Sequence, residues 1–368
     1  MRIGLDAKWY FTGPPSTQTL LHNLLPRLFN FYPEHEWIIF LDKKDRHFGF
    51  PFNNKNVTPV YVWADNNLFS NLFILPYHIR QRNINITVFQ TFPPFQRKIN
   101  SIAFIHDVLF RDYPQFFTWK EQLYFKPLSW LAPKATQLIA TTEFVANELV
   151  KHKYAASRSK IDIIPLGVSS ELKPIEQHDS DLVRRIKEKY HLPQDFVLFV
   201  GRLNIRKNIG ALIKAIPFLH DQNLALVIVG KIDGKQEEIN DLIQKQEKHL
   251  IVTGAVTNTE LAVIYALAKL FCFPSFAEGF GLPPIEAMAS GVPVVVSDIV
   301  ALKEVCGDAA VYIDPAQPRT IAEALNNLLE EPNLYTKQRK KGLDRSAKYN
   351  WDVAAQLVMQ TIIKTAKK

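Results

Sequence analysis

At 368 residues the chain is longer than one hydrophobic core usually serves, so two domains are expected, and 47% hydrophobic with 22% charged residues describes an ordinary soluble protein. No run approaches the ~18–20 uninterrupted apolar residues of a membrane-spanning helix, which excludes an integral helical membrane protein. The net charge of +8 is uneven, with 19 Lys+Arg against 12 Asp+Glu in residues 1–168 and 25 against 24 in residues 169–368. With no long basic run and no nucleic-acid motif, this excess suits an anionic membrane surface better than nucleic acid; a merely solvated basic face explains it equally well.

The opening MRIGLDA reads as a short strand, and Asp6 falls where a signal peptide would need its apolar run, so a cytoplasmic location is expected. The loop FTGPPSTQ follows, with Ser16 or Thr17 expected to cap a helix carrying Leu20, Leu21, Leu24, Leu25 and Leu28 at helical spacing. WIIFLD and VTPVYVWA are strands, 71–81 a helix, and NITVFQT and SIAFIHDV strands, the last ending in His106-Asp107. A proline-interrupted helix, WKEQLYFKPLSWLAPKA, leads to the strand TQLIATT, a helix over 143–153 and the strand IDIIPLGVS. Strands alternating with helices argue for a doubly wound parallel sheet, whose ligands bind beyond the strand C-terminal ends. Gly13, residues 91–94 and His106 all fall at such ends.

Residues 169–192 form a polar linker region between domains 1–168 and 193–350, and Asp179 there reads as a helix N-cap rather than part of a DxD metal site. The second series runs through FVLFVGRLNIRKN, with Arg202, Arg206 and Lys207 after the strand, then LALVIVGK and HLIVTGAV. Thr259 is expected to cap the helix ELAVIYALA, and a last helix covers 352–368. Cys272 and Cys306 lie far from any CxxC or His pair and read as buried free thiols. Without a GxGxxG, a dinucleotide dehydrogenase would lack its phosphate loop.

The most informative stretch is 273–298, FPSFAEGFGLPPIEAMASGVPVVVSD. Two buried strands flank a loop in which Gly279 and Gly281 let the backbone approach a ligand, and Pro283 and Pro284 suit a helix's first turn. A glycine loop feeding a helix N-terminus favours an electron-rich oxygen group such as a phosphate. Glu278 and Glu286 bracket it, and an ionised carboxylate accepts two hydroxyls at once, as a sugar or ribose would present them. Two solvated glutamates on a loop and a helix are the bland alternative.

EGFGLPPIE followed by AMASGVPVV resembles the signature of retaining glycosyltransferases of family four, and IGLDA, TG, FIHD and IPLGV extend the resemblance over nearly the whole chain. It implies a GT-B fold: two Rossmann-like α/β domains, each a doubly wound parallel sheet, facing across a cleft, with the last helix crossing back onto the first domain near Trp351. It further implies a nucleoside-diphosphate sugar donor and a glycan or lipid-linked acceptor. Arg202 and Lys207 would bind the diphosphate, Glu278 the sugar hydroxyls and Glu286 the ribose, with Gly13, Gly279, Phe280, Gly281 and Leu282 lining the donor site and His106 beside the sugar. Two fixed cations at a strand end can neutralise a diphosphate without metal, so no metal or other cofactor is expected. The first loop departs from the family's pattern, since Pro14 and Pro15 offer no N–H. A retaining hexosyltransferase building a cell-envelope glycan, with a mannosyl donor preferred, is therefore expected, peripheral to the inner face of the cell membrane. A sugar-nucleotide epimerase and a catalytically weakened sugar-nucleotide-binding subunit are the alternatives.

Overall fold

The computed structural model describes residues 1–96, 98–231, 237–246 and 249–367. They form two compact units, one of residues 1–167 with 350–368 and the other of residues 168–349. The stretch 169–192 falls wholly inside the second unit, where Asp179 Oδ1 accepts from Leu182 N at 2.8 Å and caps the helix Ser180–Lys189.

The first unit holds seven strands, β1 (Arg2–Asp6), β2 (Glu36–Asp42), β3 (Val57–Val62), β4 (Ile86–Gln90), β5 (Ser101–Phe104), β6 (Gln137–Ala140) and β7 (Ile161–Ile163). All pair in parallel in the order β3-β2-β1-β4-β5-β6-β7. The strands are nearly continuous apolar runs because helices cover both faces of a parallel sheet. The helix Pro15–Phe31 buries Leu20, Leu21, Leu24, Leu25 and Leu28, the leucine stripe of the sequence. Neither Ser16 nor Thr17 caps it: Pro14 is the N-cap residue, with no side-chain bond, and Pro15 takes the first helical position, where a missing N–H costs nothing.

The segment expected as one helix over 71–81 starts earlier and is compound. Asn66 caps the turn Asn67–Phe69, a π-helical turn spans Ser70–Ile74, and an α-helix continues over Leu75–Gln81. The helix Trp351–Ala366 belongs to this unit and packs on Pro15–Phe31, with Arg27 Nε 2.6 Å from Asp352 Oδ1. A Cβ on Gly167 would lie 2.4 Å from Trp351 N, so only glycine admits that close approach.

The second unit holds β8 (Phe196–Val200), β9 (Ala225–Val229), β10 (Leu250–Gly254), β11 (Leu270–Phe273), β12 (Val294–Ser297) and β13 (Ala310–Ile313), parallel in the order β10-β9-β8-β11-β12-β13. The helix Asn258–Leu267 is capped by Thr257, not Thr259. Thr257 and Glu260 form a reciprocal box in which Thr257 N donates to Glu260 Oε2 at 2.8 Å, satisfying two helix-end donors together. The basic stretch near residue 340 is itself helical, within Pro332–Ser346. Both cysteines are buried and unpaired.

In each sheet the strand order reverses once, between β1 and β4 and between β8 and β11. Chains leaving two strands at such a reversal depart to opposite faces and open a crevice at the strand ends, the usual ligand position in open α/β sheets.

Candidate active site

The second unit's reversal brings the loop after β8 beside the loop after β11, because the two strands are hydrogen-bonded neighbours. Leaving β8, the chain passes Gly201 and Arg202 into a 3₁₀ turn, Ile205–Lys207, capped by Asn204, whose Oδ1 accepts from Lys207 N at 3.1 Å. Asn208 then takes a left-handed conformation, with φ of 55°, and its Nδ2 donates to Pro274 O at 3.1 Å and Pro315 O at 2.6 Å. Phe276 N donates to Arg206 O at 2.9 Å, and Arg206 Nη1 donates to Ala277 O at 2.6 Å. The two loops are thus tied together at residues 274, 276 and 277.

That knot places Glu278 between two cations. Its Oε1 is 2.6 Å from Lys207 Nζ and its Oε2 is 3.1 Å from Arg206 Nη1. Burial alone would push this carboxyl up, but Lys207 and Arg206 outweigh it and hold the pKa down to about 2. Glu278 is therefore an ionised acceptor at physiological pH. Lys207 Nζ also lies 4.5 Å from the Phe273 ring centroid, a second attraction that fixes the ammonium at the end of β11.

Beyond Glu278 the loop turns at Gly281, whose φ of 94° suits glycine, and a Cβ there would lie 2.5 Å from Leu302 Cδ2. The helix Leu282–Ala289 follows. Pro283 and Pro284 occupy its second and third positions and carry no N–H, so fewer amides face this end than at an ordinary helix start. Phe280 is buried edge-on against Tyr349, with ring centroids 5.6 Å apart, so only its backbone can meet a ligand. Gly279 is buried and Leu282 partly so. One turn further, Glu286 Oε2 accepts from Tyr265 Oη at 2.8 Å, and burial pushes its pKa up, partly offset by that bond. Arg202 is exposed on the same loop as Lys207. Of the residues expected from the sequence, the structure brings Lys207 and Glu278 into direct contact. Arg206, the second partner of Glu278, has a sequence signal in the adjacent Arg-Lys pair, whereas Tyr265 has none.

The first unit's reversal carries a second buried ion pair. Lys8 Nζ, just past β1, is 2.6 Å from Asp6 Oδ1 and 2.6 Å from Asn71 Oδ1, and Asn71 Nδ2 donates to Phe92 O at 2.8 Å beyond β4. Asn71 lies in the π-helical turn and is fully buried. Burial lowers the Lys8 pKa, opposed by the Asp6 charge. His106 lies two residues past β5, its ring 5.0 Å from that of Phe104, and its Nε2 is enclosed with no hydrogen-bond partner among the described residues. An enclosed polar atom without a partner is costly unless a ligand supplies one. Asp107 Oδ1 accepts from Leu109 N at 3.2 Å and so orders the following turn. Gly13 sits on an exposed loop where a Cβ would lie 2.6 Å from Trp9 Cβ.

Burial lowers the His106 pKa from 6.5 to about 4, so the ring is neutral at pH 7. Between those values the unfolded chain binds the proton and the folded one does not, so stability falls as pH drops from 6.5 towards 4. His106→Gln is expected to flatten that part of the dependence. Thermal midpoints at pH 7.5 and 5.0 test it, and equal slopes for both proteins would mean that the ring takes its proton freely.

Among the described residues, Asp112, Glu148 and His152 gather three potential metal-ligand atoms within 4.8 Å of one another. Lys151 Nζ already spans both carboxylates, 3.0 Å from Asp112 and 2.9 Å from Glu148, and supplies the charge a cation would bring.

Residues 34–172 match the family model Glycosyltransferase Family 4, and residues 183–345 match Glycosyl transferases group 1. The chain belongs to glycosyltransferase family four. It is 32% identical over 234 residues to the serotype-specific mannosyltransferase WbdA of Escherichia coli, covering 62% of this chain and 28% of that protein. The chain thus spans less than a third of that relative. It is 29% identical over 262 residues to the O-antigen chain mannosyltransferase RfbU of Salmonella typhimurium, covering 70% of this chain and 68% of that one. The sucrose-phosphate synthase structure from Thermosynechococcus elongatus superposes with a TM-score of 0.75 at 18% identity, over 99% of this chain and 98% of that one, which establishes the GT-B fold.

Proposed function

We propose that this family-four chain is a retaining, metal-independent glycosyltransferase that moves a hexose, preferably mannose, from a nucleoside diphosphate to a cell-envelope glycan of the O-antigen kind. It would work in the cytoplasm, at the inner face of the membrane. The observation that carries the reading is Glu278 held ionised between Lys207 and Arg206 at the second sheet's reversal. The names of the relatives support the mannosyl donor and the O-antigen acceptor.

In this reading the Glu278 carboxylate accepts hydroxyls of the donor sugar, and Arg202, Arg206 and Lys207 turn positive charge towards the diphosphate. Glu286 keeps one oxygen on Tyr265 and offers the other to the ribose diol. In the first unit, His106 Nε2, enclosed and neutral, offers a partner to a hydroxyl of a sugar bound at that sheet's strand ends. A carboxylate clamped by two cations is a poor nucleophile, which favours front-face substitution over double displacement. The bond from the anomeric carbon to the diphosphate oxygen breaks, the bond to the acceptor oxygen forms on the same face, and the acceptor proton passes to the departing diphosphate. The cations stabilise the charge that develops on that leaving group.

The test offers the purified protein a panel of nucleotide sugars with glycan acceptors, and assigns the anomeric configuration of the product by NMR. Isomerised donor without transfer would turn the reading towards an epimerase. Activity is expected to survive excess EDTA, because the three cations supply the charge a metal would bring. Loss of activity that Mg²⁺ or Mn²⁺ restores would refute that part.

A further inference from the structure

Every aromatic side chain more than half exposed among the described residues lies in the first unit, between Phe48 and Trp130. Six of them, Phe69, Phe73, Tyr77, Phe95, Trp119 and Trp130, are 54% to 70% exposed and sit on or beside the two segments that precede β4 and β6. Phe69, Phe73 and Tyr77 recur every four residues, which puts them on one helix face, and the Phe69 and Phe73 rings are 5.0 Å apart.

Cations are set among these rings. Phe73, Tyr77 and Arg80 line a shallow depression of about 430 Å³. Arg80 also lines its neighbour, of about 450 Å³, with Phe95, Lys98 and Lys134. Lys134 Nζ stands 3.2 Å from the Phe95 ring centroid. Among the described residues no carboxylate lines either depression, and residues 66–106 contain four basic residues and no acidic one. Trp130 lies four residues before Lys134, and Lys126 and Trp119 extend the same mixture N-terminally.

We propose that this face of the first unit docks on an anionic lipid bilayer, the rings entering the headgroup boundary and Arg80, Lys98 and Lys134 meeting lipid phosphates. Aromatic rings flanked by Lys and Arg are what a water–lipid interface selects, since each ring sits at the boundary and each long cation reaches back to the phosphates. A protein partner would need its own carboxylates against these cations, whereas an anionic leaflet presents negative charge everywhere. No helix among the described residues is long and apolar enough to cross a membrane, and the proposed contact is with the bilayer surface. The proposal gives the membrane location named above a surface and rests on that reading for its purpose, but its test requires no transfer activity.

Co-sedimentation with vesicles of phosphatidylcholine alone, or mixed with phosphatidylglycerol, is compared for the full chain and two double variants, Phe73→Ser/Tyr77→Ser and Lys98→Glu/Lys134→Glu. Phe73, Tyr77 and Lys98 are exposed and Lys134 is half-buried on Phe95, and unchanged circular dichroism and thermal midpoint verify the fold. Wild type is expected to pellet with anionic vesicles and far less with neutral ones. Each variant is expected to lose about tenfold or more of its partitioning at low salt. Lys337→Glu/Lys340→Glu, the same charge change on the exposed side of the second unit's helix Pro332–Ser346, is expected to lose much less. Equal loss in that control would reduce the effect to net charge and overturn the proposal. So would undiminished pelleting of both patch variants, or a patch-dependent dimer seen by analytical ultracentrifugation without lipid. Membrane binding without transfer would sink the proposed activity and leave this surface standing, and transfer without membrane binding would do the reverse.

Discussion

Glu278→Gln is expected to abolish most transfer while leaving the bare nucleoside diphosphate bound as well as before, or better. In the wild type the carboxylate neutralises Lys207 and Arg206 from 2.6 Å and 3.1 Å, in a position where only 8% of its side chain is exposed. A glutamine there leaves two clustered cations without their counter-charge. Breaking a buried pair in this way costs roughly 3–5 kcal/mol, which for a unit of this size lowers the thermal midpoint by about 10 °C. A diphosphate restores the missing negative charge, so ligand-induced stabilisation should be larger in the variant than in the wild type. The intact donor also loses a charged acceptor for its hydroxyls, a loss of roughly ten- to hundredfold in affinity, and transfer falls further if those contacts tighten as charge develops on the ring. Glu286→Gln is the contrasting variant. It should weaken intact donor and bare diphosphate alike, because both present the same ribose. Calorimetric titration of the two variants with the two ligands gives four affinities. If Glu278→Gln weakens the bare diphosphate as much as the donor, the division of labour between the two carboxylates is wrong.

Which parts of this arrangement are legible in the sequence follows from how local their causes are. Both parallel sheets announce themselves through apolar runs alternating with helical stretches, because a strand covered on both faces has no polar side to show. Gly281 and the two prolines after it mark a loop entering a helix, since each restricts or frees its own φ. Helix starts are harder: Thr257 and Thr259 both stand near the start of Asn258–Leu267, and only the reach of Glu260 back to residue 257 decides between them. At Pro14-Pro15, fixed backbone angles displace Ser16 and Thr17 from a role that their side chains could have filled. The π-helical turn at Ser70–Ile74 is invisible in the sequence, and the contact it carries, Asn71 with Lys8, joins residues 63 positions apart. The role of Arg206 is similarly non-local. From the sequence Arg202 and Lys207 are the two cations expected at a ligand, and only the adjacency of β8 and β11 shows that Arg206, together with Lys207, is paired with Glu278. The two reversals share a design that periodicity does not encode: each sheet closes its crevice end with a buried lysine–carboxylate pair.

Lys207→Met tests the electrostatic half of that design. The variant keeps a long apolar stem near Phe273 and removes the charge that does most to hold the Glu278 pKa near 2. Against an ordinary value of 4.5, such a depressed carboxylate contributes stability that is complete above pH 4.5 and is lost as pH falls towards 2. The shift corresponds to about 3 kcal/mol. Without Lys207, burial regains weight and the Glu278 pKa rises, so the variant should be about 3 kcal/mol less stable at pH 7. The gap should then narrow as pH falls from 4.5 towards 2, where Glu278 takes up a proton in the wild type as well. Chemical denaturation at pH 7 and pH 3.5 measures the two gaps. The same substitution takes one of three cations from the diphosphate, and removing one preorganised charge from a transition state typically costs 10²- to 10³-fold in turnover. Bare diphosphate should weaken too, in contrast to Glu278→Gln, so the two variants move that affinity in different directions although each breaks the same ion pair. A Lys207→Met protein that binds bare diphosphate normally would show that the ammonium serves only to hold Glu278, and would leave the phosphates to Arg202 and Arg206.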